Sequence, residues 1–199
     1  SGVSARLTIS AYENLISNAE RRMLLNTETN TFVRISDFLG LIPAITGKIE
    51  LVYEGELEGP AKVANILLGK AIKSLMVSYF PDPEKLKKAK ATNPYTGIIN
   101  WFGAGNTVNI EDSLSLEEYK NALESIPGLK DVIKQFHPRL SKNQQLLLME
   151  FLLHGLAEFS LINKSFLDNG FSFADMFNSL FNAEFEDDED EDYNDNNRY

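Results

Sequence analysis

A few residues in this sequence have the type and placement to do chemistry. The first is Arg6, in Gly2-Val3-Ser4-Ala5-Arg6-Leu7-Thr8-Ile9-Ser10, where Ser4 reads as an N-cap and a helix is expected over 4–25. A cation in a first helical turn opposes the macrodipole, and a guanidinium beside uncapped backbone amides makes a phosphate site. The plain alternative is an arginine that is solvated or paired with a carboxylate. The second is Glu150, His154 and Glu158, which recur every four residues and could offer metal ligands, with His137 recruited from elsewhere. Their plainer reading is the solvent edge of an apolar helix. The third is Ala64-Asn65-Ile66-Leu67-Leu68-Gly69-Lys70-Ala71, which imitates a phosphate-binding loop. It has alanine at the first glycine and at the terminal Ser/Thr, and it sits within a helical pattern, so Lys70 reads as a surface lysine. Leu146 to Glu150 lacks the Asp-Glu ending of a Walker B strand, and two histidines leave little for a Ser/His/Asp triad. No metal site is expected.

The elements that position these residues follow from apolar spacing. In the first helix Ile9, Tyr12, Ile16, Ala19 and Met23 form one stripe that is expected to face inward. A polar turn, Asn26 to Thr31, leads to Val33-Arg34-Ile35 and a short helix over 36–42 capped by Ser36 and ended by Pro43. From Pro43 to Tyr53 the pattern suggests a short strand or an extended connection, followed by an acidic loop over 54–58. Pro60 opens a helix to Tyr79 with two apolar lines, Val63, Leu67, Ala71 and Leu75 beside Ala64, Leu68, Ile72 and Met76, so it is expected to be central and buried.

Beyond Pro81 and Pro83 comes a helix with Lys85, Lys87, Lys88 and Lys90, which reads as a solvated face. A short helix carries Ile98, Ile99, Trp101 and Phe102, expected as core, and Val108 and Ile110 suggest a small strand. Ser115 and Glu118 form a capping box, Leu129 to Phe136 is one more helix, and a long apolar helix runs from Ser141 to about Asn163. Ser172 reads as the cap of a last amphipathic helix with Phe173, Met176, Phe177, Leu180 and Phe181.

Composition bounds the function. The chain has 199 residues, 43% of them hydrophobic, which is enough for one sizeable core. Residues 184–199 hold nine carboxylates against Arg198, a charge of -8 that leaves about -2 for the rest of the formal -10. The low pI thus describes an acidic tail, expected to be disordered, and says little of the fold. No basic stripe, aromatic RNA-binding motif or Cys/His finger is present, which argues against nucleic acid. The absence of cysteine excludes disulfides and thiolate metal sites. With no membrane span and no leader pattern, a soluble cytoplasmic protein is expected. The chain lacks an initiator methionine and reads as part of something longer.

Gly2-Val3-Ser4-Ala5-Arg6, Glu20-Arg21-Arg22 and Thr46-Gly47-Lys48-Ile49-Glu50-Leu51-Val52-Tyr53-Glu54-Gly55-Glu56, together with the helix, extended stretch and short helix up to Phe38, resemble the C-terminal lid of magnesium-chelatase-like AAA+ ATPases over about residues 2–80. The resemblance implies a mainly α fold: a lid-like helical bundle over 1–58 and a helical extension over 59–183, with at most one or two short strands. It also implies that Arg6 acts as a sensor 2 arginine toward nucleotide phosphates. The intact parent would be an ATP- and Mg-dependent hexameric ring, and this chain's partners would be the rest of the AAA+ module, neighbouring subunits and a possible protein substrate. The competing expectation is a stand-alone helical interaction module without a nucleotide role.

Overall fold

The computed structural model describes residues 6–46, 48 and 59–176. Among these the chain is mainly helical, with one small three-stranded antiparallel sheet. Helix α1 (Leu7–Leu25) leads through an irregular stretch to a 3-10 helix (Ser36–Gly40), which continues into α2 (Leu41–Thr46). After the undescribed residues come α3 (Pro60–Tyr79), α4 (Pro83–Ala89), α5 (Thr96–Gly103) and strand β1 (Val108–Glu111). The last part holds α6 (Leu116–Glu124), α7 (Leu129–Phe136), α8 (Lys142–Glu158), β2 (Asn163–Leu167) and β3 (Gly170–Ala174).

Local chemistry sets many of these boundaries. Pro60 stands at the first turn of α3, where a missing amide costs nothing, and Asp82 caps α4 by accepting from the amides of Glu84 and Lys85. The capping boxes Ser115/Glu118 and Ser141/Gln144 open α6 and α8. Helix α8 is the hub of the fold. Met149, Phe151, Leu152, Leu153 and Leu156 are buried on it, and Ile98, Phe102, Tyr119, Leu123, Leu129, Ile133 and Phe173 close around it in one core cluster.

Several sequence expectations need correction. Helix α1 opens at Leu7 with Arg6 at the N-cap, and Ser4 lies outside the described residues. Its inward line is Leu7, Ala11, Leu15, Ala19 and Arg22, whereas Ile9 and Tyr12 are exposed. The rotation has a physical cause: Asn18 and Arg22 both bond to Asp37, and those bonds turn polar residues inward. Pro43 does not end a helix but sits within α2, in the first turn where amides are unpaired anyway. The strand or extended connection of 43–53 is helical as far as Thr46, and residues 47 and 49–58 lie outside the described ones, as does the acidic tail 184–199.

Helix α3 is not central. It buries Ala64, Gly69 and Met76 and exposes Leu67 and Leu75 on the other apolar line. The long helix is shorter than its apolar pattern, because Ser160 adopts a left-handed φ of 55° and Asn163 then starts β2. The last amphipathic helix is also wrong in its first part, since residues 170–174 form β3, and residues from Phe177 on lie outside the described ones. Phe171 and Phe173 alternate with Ser172, which is strand spacing, and both rings are buried. Three strands therefore replace the one or two expected, in the order β1-β3-β2, with Val108 opposite Phe173 and Ser165 opposite Ser172.

Gly170 is required where β3 meets β1, because a Cβ there would collide with the backbone of Ile110 and Glu111. Gly170→Ala must push two paired strands apart, and it is expected to cost about 1–3 kcal/mol in urea unfolding, the range for overpacking a tight contact.

Candidate functional site

Arg6 lies exposed at the N-cap of α1, with φ -81° and ψ -8°. Its side chain makes no capping hydrogen bond to the helix, and the first turn carries no acidic residue. The positive end of a 19-residue helix and a guanidinium thus stand together at the surface. An anion there would meet backbone amides and a planar, permanently charged donor.

The other sequence candidates separate. Glu150 and His154 are buried, not at a solvent edge. Glu158 bonds at 2.7 Å to Lys164 Nζ, and His137 Nε2 lies 2.8 Å from the carbonyl of Tyr79 with its ring against Tyr79 and Phe80. Among the described residues no three His, Asp or Glu side chains converge as metal ligands. Lys70 is exposed on α3, and Gly69 of the loop imitation faces Glu158 within the helix packing. Trp101 is half-buried and stacks edge-on with Phe102, as core residues do.

What the fold does assemble is a sealed polar network that joins α1 and the 3-10 helix to α6 and α8. Arg22 and Asp37 are each about 1% exposed and form an ion pair through Nη1 and Oδ1, while Arg22 Nη2 donates to the carbonyl of Phe32 at 2.8 Å. Asp37 Oδ2 accepts the amide of Arg34 at 2.7 Å. Arg34 in turn donates to the carbonyl of Leu114 at 2.6 Å, and its guanidinium carbon lies 4.1 Å from the centroid of the Tyr119 ring. From α8, Glu150 accepts the amides of Ile35 and Ser36, both at 2.8 Å, and the hydroxyl of Tyr119 at 2.8 Å. One turn on, His154 Nε2 is 4.0 Å from Glu150 Oε1, and its ring meets Phe171 and Phe173 edge-on.

The electrostatics follow from burial. Burial raises the Glu150 carboxyl above its ordinary range, opposed by the bonds from Tyr119, Ile35 and Ser36, and it raises Asp37 against the pull of Arg34 and Arg22. Burial, then the Glu150 charge, lifts the Tyr119 phenol well up. Burial, then the Lys164 charge, holds the His154 imidazole well below its ordinary range, so it is neutral at pH 7. A cavity of about 30 Å³ beside His154, bordered by Ile35, Leu68, Ile72 and Lys164, is the size of one water. With every member of the network about 1% exposed or less and no room for a substrate, its chemistry is to hold elements together.

Spacing had pointed to Glu150 and His154 but misread their side of the helix, and it missed Arg22, Arg34, Asp37 and Tyr119. A usable signal was present in Leu146-Leu147-Leu148-Met149-Glu150-Phe151-Leu152-Leu153: a carboxylate amid apolar residues on all sides has no polar face to point toward. No protein-family model, curated protein sequence or solved structure matches this chain.

Removing one partner of a buried ion pair strands the other, so Arg22→Met is expected to lose about 3–5 kcal/mol in urea unfolding. Tyr119→Phe, which deletes one donor to a buried carboxylate, is expected to lose about 1.5–3 kcal/mol in the same measurement. His154 adds a pH dependence. Its folded pKa lies below its unfolded one, so the unfolded chain takes up the proton first and stability falls as pH drops below about 6.5. The raised carboxyls of Glu150 and Asp37 act in the opposite sense, which makes the difference from His154→Phe the informative quantity. Wild type is expected to lose up to about 1.4 kcal/mol per pH unit relative to His154→Phe between pH 6.5 and 5.

Proposed function

We propose that this chain is the C-terminal lid and helical extension of an AAA+ ATPase of the magnesium chelatase type, in which Arg6 senses nucleotide phosphate. The observation that carries the reading is the exposed Arg6 at the N-cap of a helix that has neither a side-chain cap nor a first-turn carboxylate. The packing of α1 on the 3-10 helix and α2, and of α2 on α3, supports it by making a small bundle rigid enough to transmit a pull at its edge. The Arg22–Asp37 pair ties the C-terminal half of the sensing helix to that bundle. Motion at Arg6 is thereby passed to the body as a unit rather than absorbed by a loose helix.

The sequence contains no Walker A loop or Walker B strand, so the role assigned to this chain is sensing and assembly, with ATP and Mg held by other parts of the intact ring. What the described residues offer the nucleotide is one guanidinium and the helix end beside it, a donor set that fits a phosphate. The competing reading, an interaction module with no nucleotide role, draws support from Leu67 and Leu75, each 52% exposed on α3.

Arg6→Ala separates the two. In the intact parent it is expected to slow ATP hydrolysis or nucleotide-driven closure about 10- to 150-fold, the equivalent of about 1.5–3 kcal/mol for one charge-assisted hydrogen bond. In the isolated chain, which is expected to show no ATP turnover, the same exposed substitution should shift unfolding by less than about 1 kcal/mol. Loss of several kcal/mol from the isolated chain with the parent's hydrolysis intact would make Arg6 a structural residue and overturn the sensor reading.

A further inference from the structure

Three helices meet around a cavity of about 430 Å³ whose lining includes neither Arg6 nor any side chain of the sealed network. Its floor is α8, where the buried Leu146 and Met149 line it with Gln145 beside them. Its rim is charged: Lys120 and Glu124 come from α6, Lys130 from α7 and Lys142 from the first turn of α8. The volume falls in the range of about 300–1,000 Å³ that small-molecule sites occupy. Lysine stems add methylenes to such a wall while their ammonium groups stay in water.

The charges do not balance. Lys130 donates to Glu124 at 2.6 Å, which leaves Lys120 and Lys142 exposed and, among the described residues, without a carboxylate at ion-pair distance. Three cations against one carboxylate leave an excess of two positive charges, on a chain whose formal charge is -10. Glu124 registers the same field. The hydrogen bond from Lys130, then the charges of Lys130, Lys120 and Lys134, outweigh a slight desolvation and hold its carboxyl below the ordinary range. The first turn of α8 carries no acidic residue, so the positive end of that 17-residue helix adds to the excess. Like charges facing one space repel, and an anion placed among them removes the repulsion.

Charge, donor geometry and floor together select the anion. An excess of two charges matches a dianion, and a phosphate monoester carries about -1.5 to -2 at pH 7. Its three terminal oxygens can each take an ammonium from a different helix. A carboxylate has one charge and is best met by a planar guanidinium, which this rim lacks. Inorganic phosphate would leave most of the cavity to water, whereas Leu146 and Met149 call for an apolar body, and the Met149 thioether favours an aromatic ring.

We propose that the cavity between α6, α7 and α8 binds a small aromatic phosphate monoester, with its ring over Leu146 and Met149 and its phosphate among Lys120, Lys130 and Lys142. The site stands independently of the ATPase reading.

The probe is naphthyl phosphate, titrated into the full 199-residue chain at low salt and followed by amide chemical shifts. Saturable binding with a Kd on the order of 1 mM or below is expected, the affinity a ligand of this size reaches at ordinary efficiency. The largest shifts are expected at Lys120, Lys142, Gln145 and Leu146. Lys120→Gln with Lys142→Gln, both at exposed positions, is expected to weaken binding at least about tenfold. Lys87→Gln with Lys88→Gln, exposed on α4, is expected to leave it unchanged. Glu124→Gln removes the competing carboxylate and frees Lys130, and it is expected to tighten binding about threefold or more. A merely structural role for these residues would not give opposite signs.

Absence of saturable shifts up to about 10 mM probe, or shifts centred away from the cavity, would overturn the proposal in the wild-type chain without any variant. Inorganic phosphate binding as tightly as the probe would overturn the aromatic body, and naphthoate binding as tightly would overturn the dianionic head. Loss of affinity in Glu124→Gln, or none in the Lys120 and Lys142 pair, would remove the rim from the site. An equal loss in the α4 pair would make the effect one of net charge and overturn the site as well.

Discussion

The fold depends on a carboxylate in the middle of its most apolar helix. Glu150 is fully buried on α8, and it gives its oxygens to the amides of Ile35 and Ser36 and to the Tyr119 hydroxyl. Without that acceptor the start of the 3-10 helix would present two buried donors to an apolar wall, at a cost of about 1–3 kcal/mol each. Without those donors the carboxylate could not stay in the core as an anion. Each side therefore makes the other tolerable, and the contact fixes where the 3-10 helix and the stretch before it sit on α8.

The Arg22–Asp37 pair extends the same logic outward. Buried ion pairs add little net stability over apolar residues of equal volume, but they allow few alternative arrangements. Here the pair, with Asn18 on the Asp37 carbonyl, sets the rotation of α1, and that rotation brings Leu7, Ala11 and Leu15 inward and leaves Ile9 and Tyr12 outside. A further seam ties the end of α1 to the segment before α6: Asn26 donates to the carbonyl of Ser113 at 2.8 Å, and the Leu116 amide donates to Glu28 at 2.6 Å. The helix that begins at Arg6 is thus anchored at its far end. The proposed sensing role draws on this, since a phosphate contact at Arg6 would act on the body through a fixed α1.

Among the described residues no single helix is long and apolar enough to cross a membrane, and the apolar side chains of α3 and α8 call for cover from neighbouring elements. Helix α8 meets this by being surrounded. Helix α3 meets it on one side only, through Ala64, Gly69 and Met76, with Gly155 of α8 admitting the Met76 side chain closely. Two helices of similar hydrophobicity thus have different surroundings.

Part of the punctuation and local capping was legible from the sequence alone, although Ser36 and Ser172 are not the caps and Pro43 is not the helix stop that the sequence suggests. Pro60, the Ser115/Glu118 box, the Ser141 cap and the β1 positions Val108 and Ile110 stand where the structure has them, because caps, proline and short alternation depend on neighbours only a few residues away. Composition allowed for one sizeable core, and apolar spacing marked most of the helices. Tertiary structure alone decided which face of each helix is inside. Glu150 and His154 read as a solvent edge because polar spacing every four residues describes both a wet stripe and a buried network, and only Ile35, Ser36 and Tyr119, up to 115 residues away, supply the partners that make burial possible. For the same reason Gly170 to Ala174 became a strand: the edge of β1 waited for it, and no local signal records a partner sixty residues back.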